Sequence, residues 1–273
     1  MCKIMKYFLK IAIGLFFILT AQSLWSQMPA EEFLRREAKI GTEAYGYRVY
    51  VPKNRNPKKK IPVMLFLHGN GVNGTDNERH VSGINEIIYK HPDFFNFIIV
   101  FPQARQNTVW LGDMMTQAVK ALDKTVEEFN GDAKRLYLSG FSMGGYGVWT
   151  TAVIYPNKFA ALVPVSGGIV PPFELPQFIK TSLPMPINSI LEASDSYISL
   201  AKSIGKTSVW IFHGNTDKSV PVSESRKISE ALEKNGNKNV IYTEFDKTNH
   251  SDALLKAFSE PKLFSWLSKQ ELK

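Results

Sequence analysis

The stretch LYLSGFSMGGYGVWT, residues 136–150, joins two apolar patterns through a cluster of glycines. Its first part is a short continuous apolar run typical of a buried strand, and its second part carries apolar residues at helical spacing. Ser142 lies at the junction, between Gly140 and Gly144. Because glycines lack a Cβ atom, they permit a sharp strand-to-helix turn that pushes the serine side chain out above the sheet.

Ser142 has two interpretations at this point. In the first, it is a nucleophile, and the backbone N–H of Met143, at the start of the helix, stabilises an oxyanion. In the second, Ser142 belongs to a glycine-rich helix start and caps it, because a G-x-S-x-G match occurs by chance in many chains. The rest of the chain has to decide between them.

Strand-like and helical segments alternate after a polar lead-in at residues 27–44. The strand-like segments are YRVYV, IPVMLFLHG, FNFIIVFP, RLYLSG, FAALVPVSGG, TSVWIFHG and NVIYTEF. The helical ones are MTQAVKALDKTVEEFN, the stretch after Ser142, SESRKISEALEKNG and SDALLKAFSEPKLFSWLSKQ. This alternation predicts one domain over residues 45–273, with a mostly parallel sheet covered by helices on both faces. Sites in such sheets lie at the carboxyl ends of the strands.

The first 26 residues differ in character from the rest. Lysines precede the apolar run IAIGLFFIL, and small residues follow it, which is the layout of a signal peptide over residues 1–26 with cleavage after Ser23 or Ser26. The alternative is a membrane anchor, but the run is shorter than the about 20 apolar residues that span a bilayer. We therefore expect export, to the periplasm or the medium, without stable membrane insertion afterwards.

Charge and cysteine content exclude several classes of function. The net charge is +8, and much of the excess lies in PKNRNPKKK, residues 52–60, which predicts a solvated loop. No aromatic residues interleave with these charges, so we expect no nucleic-acid binding. Cys2 is the only cysteine and lies in the predicted signal peptide, which excludes a cysteine nucleophile or a cysteine-based zinc site from the mature chain. No histidine and carboxylate cluster has metal-ligand spacing, so we expect neither a metal nor a cofactor.

A serine hydroxyl needs a base to become a good nucleophile, and the usual base is a histidine oriented by a carboxylate. In sheets of this type the order along the chain is serine, acid, histidine, and His213 and His250 are the histidines that follow Ser142. His213 comes directly after a buried apolar run. His250 lies in the polar loop DKTNHSD, after the last strand, where an imidazole can reach the neighbouring strand ends, so it is the expected base.

Asp217 is the expected acid. It lies in FHGNTDKSVPV, at the end of the strand that precedes the loop of His250. Asp246 and Asp195 are alternatives, but Asp246 comes shortly before His250 and is expected to brace its loop, and Asp195 follows no clear strand. The plain interpretation of Asp217 is a turn residue.

Two further loops are expected to line the site. HGNGVNGTDN follows an early strand, and we expect Asn70, with Gly71 as the alternative, to provide the second oxyanion donor. His68 is expected to border the substrate or to hold this loop by a hydrogen bond. Trp110, in QNTVWLGDMM, either offers a flat apolar surface to a sugar ring or an aromatic acid, or packs beneath its loop and supports the fold.

Several stretches together carry a family resemblance, which extends from about Tyr45 to the C-terminus. They are LFLHGNGVNGTDN, VWLGD, RLYLSGFSMGGYGVW, YPNKFAALVPVSGG, KTSVWIFHGNTDKSVPVSES and VIYTEFDKTNH. The chain resembles the α/β-hydrolase esterases of the feruloyl-esterase-like and polyhydroxybutyrate-depolymerase-like group, whose relatives include phospholipase/carboxylesterase-like proteins and predicted peptidases. The resemblance implies a single-domain α/β-hydrolase fold and an ester hydrolase, with a Ser142–His250–Asp217 triad and an acyl-enzyme intermediate, acting on small or polysaccharide-linked esters.

The sequence also departs from this family. Asn249 stands where relatives often have glycine, and Ala253 and Leu254 occupy a region where they often have tryptophan. These changes concern the pocket rather than the chemistry. Residues 169–206 are long for a connection and are expected to form a partial cap. A serine peptidase of prolyl-oligopeptidase-like type, or an inactive binding protein on the same fold, are the alternatives to an esterase.

Overall fold

Eight strands form one sheet in this computed structural model, which describes residues 33–170 and 183–273. In spatial order they are β1 (Phe33–Ile40), β2 (Glu43–Tyr50), β4 (Ile98–Pro102), β3 (Ile61–Leu67), β5 (Gly131–Phe141), β6 (Ala161–Val165), β7 (Ser208–Gly214) and β8 (Val240–Phe245). The β1–β2 and β2–β4 pairs are antiparallel, and all the other pairs are parallel. The predicted mostly parallel sheet is confirmed, and the carboxyl ends of its parallel strands share one edge.

Helices cover both faces of this sheet. They are α1 (Ile84–Lys90), α2 (Asp113–Glu128), α3 (Met143–Ile154), α4 (Met185–Leu191), α5 (Ser196–Ile204), α6 (Ser223–Lys234), α7 (His250–Phe258) and α8 (Pro261–Leu267). The final helical segment was predicted as one helix but forms two. Proline has no N–H and suits the first turn of a helix, so α8 begins at Pro261, where Glu260 caps it by accepting from the N–H of Lys262.

The core consists of two apolar layers, one on each face of the sheet. In β3, Val63 and Leu65 belong to one layer, and Met64 and Phe66 to the other. This division follows from the alternation of side chains along a strand, and it explains why β3 is apolar at nearly every position. Helices α2, α3 and α6 pack on the first layer, and α1, α7 and α8 pack on the second.

The lead-in predicted at residues 27–44 contributes a strand to the sheet from Phe33 onwards. β1 pairs along its whole length with β2 at the edge of the sheet. The sequence analysis did not predict this strand because its sequence is polar, and an edge strand carries charged residues at its exposed positions. Arg36, for example, reaches across to Glu128 in α2.

The predicted signal peptide at residues 1–26 lies outside the described residues. Within residues 33–170 and 183–273, no helix is long and apolar enough to cross a membrane. The basic loop at residues 52–60 joins β2 to β3 and lies at the amino end of β3. It is therefore at the opposite end of the sheet from the carboxyl-end edge.

Candidate active site

Ser142 occupies the turn between β5 and α3. Its backbone lies in the left-handed region, with a φ of 56°, which is strained for a residue that carries a Cβ atom. Its N–H donates to the carbonyl oxygen of Val165 at 3.0 Å, and its own carbonyl accepts from the N–H of Tyr146 at 3.1 Å. These bonds to β6 and to the first turn of α3 hold the strained residue in place.

The glycines around Ser142 are needed for close backbone packing. A Cβ atom on Gly144 would overlap the carbonyl oxygen of Leu67, at the end of β3, and one on Gly140 would overlap the carbonyl oxygen of Gly144. At the next residue, a Cβ atom on Gly145 would lie 2.8 Å from the Cα atom of Gly167. The start of α3 is thus pressed against the ends of its neighbouring strands, as the sequence predicted.

The structure brings Ser142, His250 and Asp217 into one hydrogen-bonded chain. The Oγ atom of Ser142 lies 2.8 Å from Nε2 of His250, and Nδ1 of His250 lies 2.6 Å from Oδ2 of Asp217. Because a carboxylate can only accept, Nδ1 of His250 carries the hydrogen. Nε2 is therefore unprotonated and can accept the hydroxyl proton of Ser142. The ring of Phe141 packs on the imidazole, with the ring centres 4.7 Å apart.

Asp217 holds a buried charge. Its side chain is 0% exposed, whereas that of His250 is 18% exposed. Burial alone would raise the pKa of Asp217, but the N–H groups of His213, His250, Val220 and Ser219 outweigh it and hold the pKa well below its usual range. Asp217 therefore stays ionised over the pH range in which a histidine titrates.

The loops that carry Asp217 and His250 are joined by hydrogen bonds of their own. Asn215 donates through its side chain to Asp246 at 2.9 Å and accepts from the N–H of Lys247 at 2.8 Å. The N–H of Thr216 donates to the carbonyl oxygen of Thr248 at 3.1 Å. Asp246 thus braces the loop of His250, the role that the sequence analysis gave it.

Asn249, where relatives often have glycine, is the N-cap of α7. Its side-chain oxygen accepts from the N–H of Asp252 at 3.0 Å, and its amide donates to the carboxylate of the same residue at 2.8 Å. Capping of this kind fixes the first helical residue, which is His250. The departure from the family pattern therefore stabilises the helix start that holds the imidazole.

Asn70 and Met143 border the same cavity as Ser142. Met143 is the first residue of α3, where backbone N–H groups have no partner within the helix. Asn70 begins a short 3₁₀ turn after β3. Gly71, the alternative to Asn70, is not among the residues that border the cavity. The assignment of Met143 and Asn70 as oxyanion donors stays a prediction.

His68 supports the loop from below and is only 3% exposed. Its Nε2 accepts from the N–H of Ala104 at 3.0 Å, so Nδ1 carries the hydrogen that is donated to the carbonyl oxygen of Gly69 at 2.7 Å. Burial lowers the pKa of His68 to about 4, so it stays neutral. With both nitrogens hydrogen-bonded and no border on the cavity, His68 has the contacts of a loop support, and its assignment to substrate binding stays a prediction.

Trp110 lies mostly beneath the site. It is 1% exposed, and its indole N–H donates to the carbonyl oxygen of His68 at 2.9 Å. A Cβ atom on Gly147, in α3, would lie 2.8 Å from Cβ of Trp110. Trp110 also borders the cavity next to Ser142. Its contacts are those of a supporting residue, and a contribution to substrate binding stays a prediction.

A cavity of about 320 Å³ opens beside Ser142. Its walls are largely apolar and are formed by Val109, Trp110, Leu111, Met143, Tyr146, Ile169, Leu183, Ile187, Leu191 and Val220, among others. Ile169 and the residues around α4 belong to the segment predicted as a partial cap. Residues 171–182 of that segment lie outside the described residues. A cavity of this size and polarity is suited to a small organic group.

Glu224 holds the start of this segment and was missed by the sequence analysis. It is only 7% exposed, and its Oε2 accepts from the N–H groups of Ile169 and Val170, each at 3.1 Å. Its Oε1 accepts from the hydroxyl of Tyr197, in α5, at 2.5 Å. One buried carboxylate thus ties the chain leaving β6 to α5. Glu224 and Ile228 are four residues apart in α6, so they lie on the same, buried face of the helix. This spacing is the feature of the sequence that could have indicated a buried carboxylate.

No group of three or more histidine, cysteine, aspartate or glutamate side chains in residues 33–170 and 183–273 could hold a metal ion. The expectation that the protein works without a metal or a cofactor stays a prediction.

Known proteins resemble this chain in both sequence and fold. A model of the prolyl oligopeptidase family matches residues 105–269. The chain belongs to this family. The matched region contains Ser142, Asp217 and His250. The crystal structure of a thermostable esterase superposes with a TM-score of 0.71 at 27% identity, covering 88% of this chain and 64% of that one. The predicted α/β-hydrolase fold is confirmed.

Two curated relatives of this family member are esterases. A bifunctional acetylxylan esterase/xylanase from Neocallimastix patriciarum is 34% identical over 137 residues, which is 49% of this chain and 19% of that protein. Acetylxylan esterase A from Emericella nidulans is 27% identical over 136 residues, which is 45% of this chain and 42% of that protein. The chain therefore spans less than half the length of either relative.

The packing around the turn leads to a test of stability. Gly144→Ala forces a methyl group against the carbonyl oxygen of Leu67, so we expect it to lower the free energy of unfolding by about 1–3 kcal/mol or more. Gly71→Ala is the matched control, because a Cβ atom there meets nothing within 4 Å. Urea unfolding followed by circular dichroism measures both. Equal stability of the two variants would contradict the packing argument.

Proposed function

We propose that this protein is a serine carboxylic-ester hydrolase that acts through an acyl-enzyme. The observation that carries the proposal is the hydrogen-bonded chain from Ser142 through His250 to the buried carboxylate of Asp217. A hydroxyl next to a free imidazole nitrogen, at the mouth of an apolar cavity, is suited to attack on a carbonyl carbon. The esterase relatives support the same class of reaction.

The steps follow from the positions of the atoms. Oγ of Ser142 attacks the ester carbonyl carbon while Nε2 of His250 takes the hydroxyl proton. The carboxylate of Asp217 stabilises the imidazolium that forms, and the N–H groups near Met143 and Asn70 bind the oxyanion. The imidazolium then gives its proton to the leaving alcohol. Water, activated by the same imidazole, attacks the acyl-enzyme and releases the acid.

The cavity suggests which esters are used. An acetyl group has roughly the volume of two water molecules, about 60 Å³, and would leave most of the 320 Å³ cavity unfilled. Apolar walls favour a larger acyl or aryl group, because its burial removes apolar surface from water. We propose, as the substrate class, esters whose acyl or aryl group is larger than acetyl but still fits the cavity, either free or linked to a carbohydrate. The acetylxylan esterase relatives support the carbohydrate link.

Peptide amides are a second candidate substrate, because the matching family is named for oligopeptidases. The same triad geometry serves both reactions. A screen of aryl esters of graded acyl length, methyl ferulate, acetylated xylan and a peptide amide distinguishes the two. Faster turnover of the amide than of every ester would make the protein a peptidase.

We also propose that the protein is exported. The layout of residues 1–26 supports this, as does a relative from Arthroderma benhamiae described as an uncharacterised secreted protein, 26% identical over 220 residues. Fractionation of cells expressing the full chain, with sequencing of the mature N-terminus, tests both export and the cleavage site.

Ser142→Ala removes the nucleophile. We expect ester kcat to fall by about 10⁶, as for comparable triads, while the melting temperature stays within a few degrees, because the hydroxyl is not needed for packing. Steady-state kinetics and labelling with a fluorophosphonate probe measure the effect. Labelling of the variant as strong as that of the wild type would assign the reactive group elsewhere.

Asp217→Asn changes the acid without changing its volume. An amide no longer fixes the imidazole hydrogen on Nδ1, so we expect kcat to fall by about 10⁴. Asp246→Asn is the matched control, since that carboxylate contacts Asn215 rather than His250, and we expect less than about a tenfold change. A larger loss for Asp246→Asn would transfer the role of the acid to that residue.

Leu191→Trp tests the cavity. The larger side chain fills space beside α4, so we expect kcat/KM for a hexanoate aryl ester to fall at least about tenfold, and that for the acetate ester to change by less than about threefold. Ile198→Trp is the control, because Ile198 is 41% exposed and does not border the cavity. Equal losses for both esters would show that the acyl group binds elsewhere.

A further inference from the structure

His213 lies directly below Asp217 and has no role in the triad described above. It is 0% exposed and comes near the end of β7. Its Nε2 lies 3.1 Å from the carbonyl oxygen of Val220, in an aligned hydrogen bond, and 3.2 Å from Oδ2 of Asp217. Its Nδ1 lies 2.7 Å from Oγ of Ser225. A second histidine therefore contacts the carboxylate oxygen that also binds His250.

The partners determine where the hydrogen of His213 is placed. Both oxygens near Nε2 belong to groups that can only accept, so Nε2 carries the hydrogen. Ser225 is 1% exposed, and its hydroxyl can donate to the unprotonated Nδ1. This arrangement leaves no ring nitrogen of His213 without a partner and requires no charge on the imidazole.

His213 also closes a ring of contacts around the turn that carries the acid. Its N–H donates to the carbonyl of Val220, and the N–H of Val220 donates at 2.9 Å to Oδ1 of Asp217. The N–H of Ser219 reaches the same Oδ1 at 2.8 Å. Asp217 is therefore held on one oxygen by its own turn and on the other by two histidines.

We propose that His213 is a positioning residue for the triad, which aims the carboxylate of Asp217 at His250 and withdraws negative charge from the oxygen they share. The proposal rests on the hydrolase function proposed above. A carboxylate oxygen that faces a second N–H offers less negative charge to the imidazole of His250, so removal of His213 is expected to strengthen the hold of Asp217 on the imidazole proton. His213 itself does not touch the reacting atoms.

Other charged groups lie close enough to matter for pH dependence. On β8, Glu244 pairs in register with His213 and is itself bound by Arg226 and Tyr242. On α7, Asp252 is bound to Asn249, and Lys256 donates to Thr248 at 2.7 Å. None of these groups is altered by the variants below, so their effect is common to all of them.

Two substitutions separate the contacts of His213. The amide of Asn matches the position of Nδ1, so His213→Asn keeps the contact with Ser225 but cannot reach Asp217. The amide of Gln extends to the position of Nε2, so His213→Gln keeps a donor for Asp217. For ester hydrolysis we expect His213→Asn to lower kcat about tenfold. We also expect it to move the ascending limb of the plot of kcat/KM against pH to a pH higher by about 0.5–1 unit. We expect His213→Gln to restore the wild-type limb to within about 0.2 unit.

His80→Asn is the matched control. His80 is also buried, at 1% exposed, and its Nε2–H donates to the carbonyl oxygen of Phe101 at 2.9 Å. Loss of that bond lowers the melting temperature but leaves the limb in place, because His80 does not contact Asp217. An unmoved limb in His213→Asn, or the same movement in His80→Asn, would overturn the positioning role.

A measurement on the wild type keeps the proposal testable if His213→Asn does not fold. ¹⁵N NMR of the imidazole nitrogens reports which one carries hydrogen, and we expect Nε2–H for His213. A hydrogen on Nδ1 alone would overturn the proposal. Failure of the hydrolase function is a separate outcome, because then the wild type would neither turn over esters nor react with a fluorophosphonate.

Discussion

The structure depends on how closely the backbone of the turn at Ser142 approaches the end of β3. Gly144 lies against the carbonyl oxygen of Leu67, with no room for a methyl group, and Gly140 lies against Gly144. This approach forces the chain to reverse within a few residues, and Ser142 takes up the strain with a positive φ. A local cost of about 1–3 kcal/mol is accepted because strands on both sides and α3 hold the turn. As a result, the side chain of Ser142 points out from the turn, toward His250.

The buried charge on Asp217 is the second constraint, and it follows from the first. Under the proposed mechanism, the base for Ser142 must reach the same edge of the sheet, and a group beneath that base must orient it. Burying a carboxylate is costly unless its oxygens are hydrogen-bonded, and here backbone and imidazole N–H groups meet both of them. The carboxylate of Asp217 is thus held in place by N–H groups at both of its oxygens. The loops of acid and base are further joined through Asn215.

The sequence was most informative where local chemistry and sheet topology agree. The sequence itself shows the glycines around Ser142, the histidine in the loop after the last strand and the aspartate after the strand before it. The parallel sheet brings these residues together. The sequence could not show contacts between residues that are distant along the chain and that only the fold brings together. In the sequence His213 has the pattern of a strand end, and only the fold shows that it lies next to Asp217. Glu224 looks like one charge in a polar helix, and β1 looks like a lead-in because its exposed positions are polar.

The buried carboxylate of Glu224 separates two parts of the molecule. Around Ser142, the backbone is fixed by strand ends and by glycine contacts that leave no room for a Cβ atom. Where the chain leaves β6, the carboxylate of Glu224 accepts from Ile169 and Val170 and from Tyr197 in α5. The hydroxyl of Tyr146 donates to the carbonyl oxygen of Val170 at 3.4 Å. Under the proposed function, the length and composition of the connection between β6 and β7 could change during evolution, or be changed by design, without moving Ser142, His250 or Asp217. Under the proposed function, the chemistry and the selectivity of the protein lie on different segments of the chain, and Glu224 connects them.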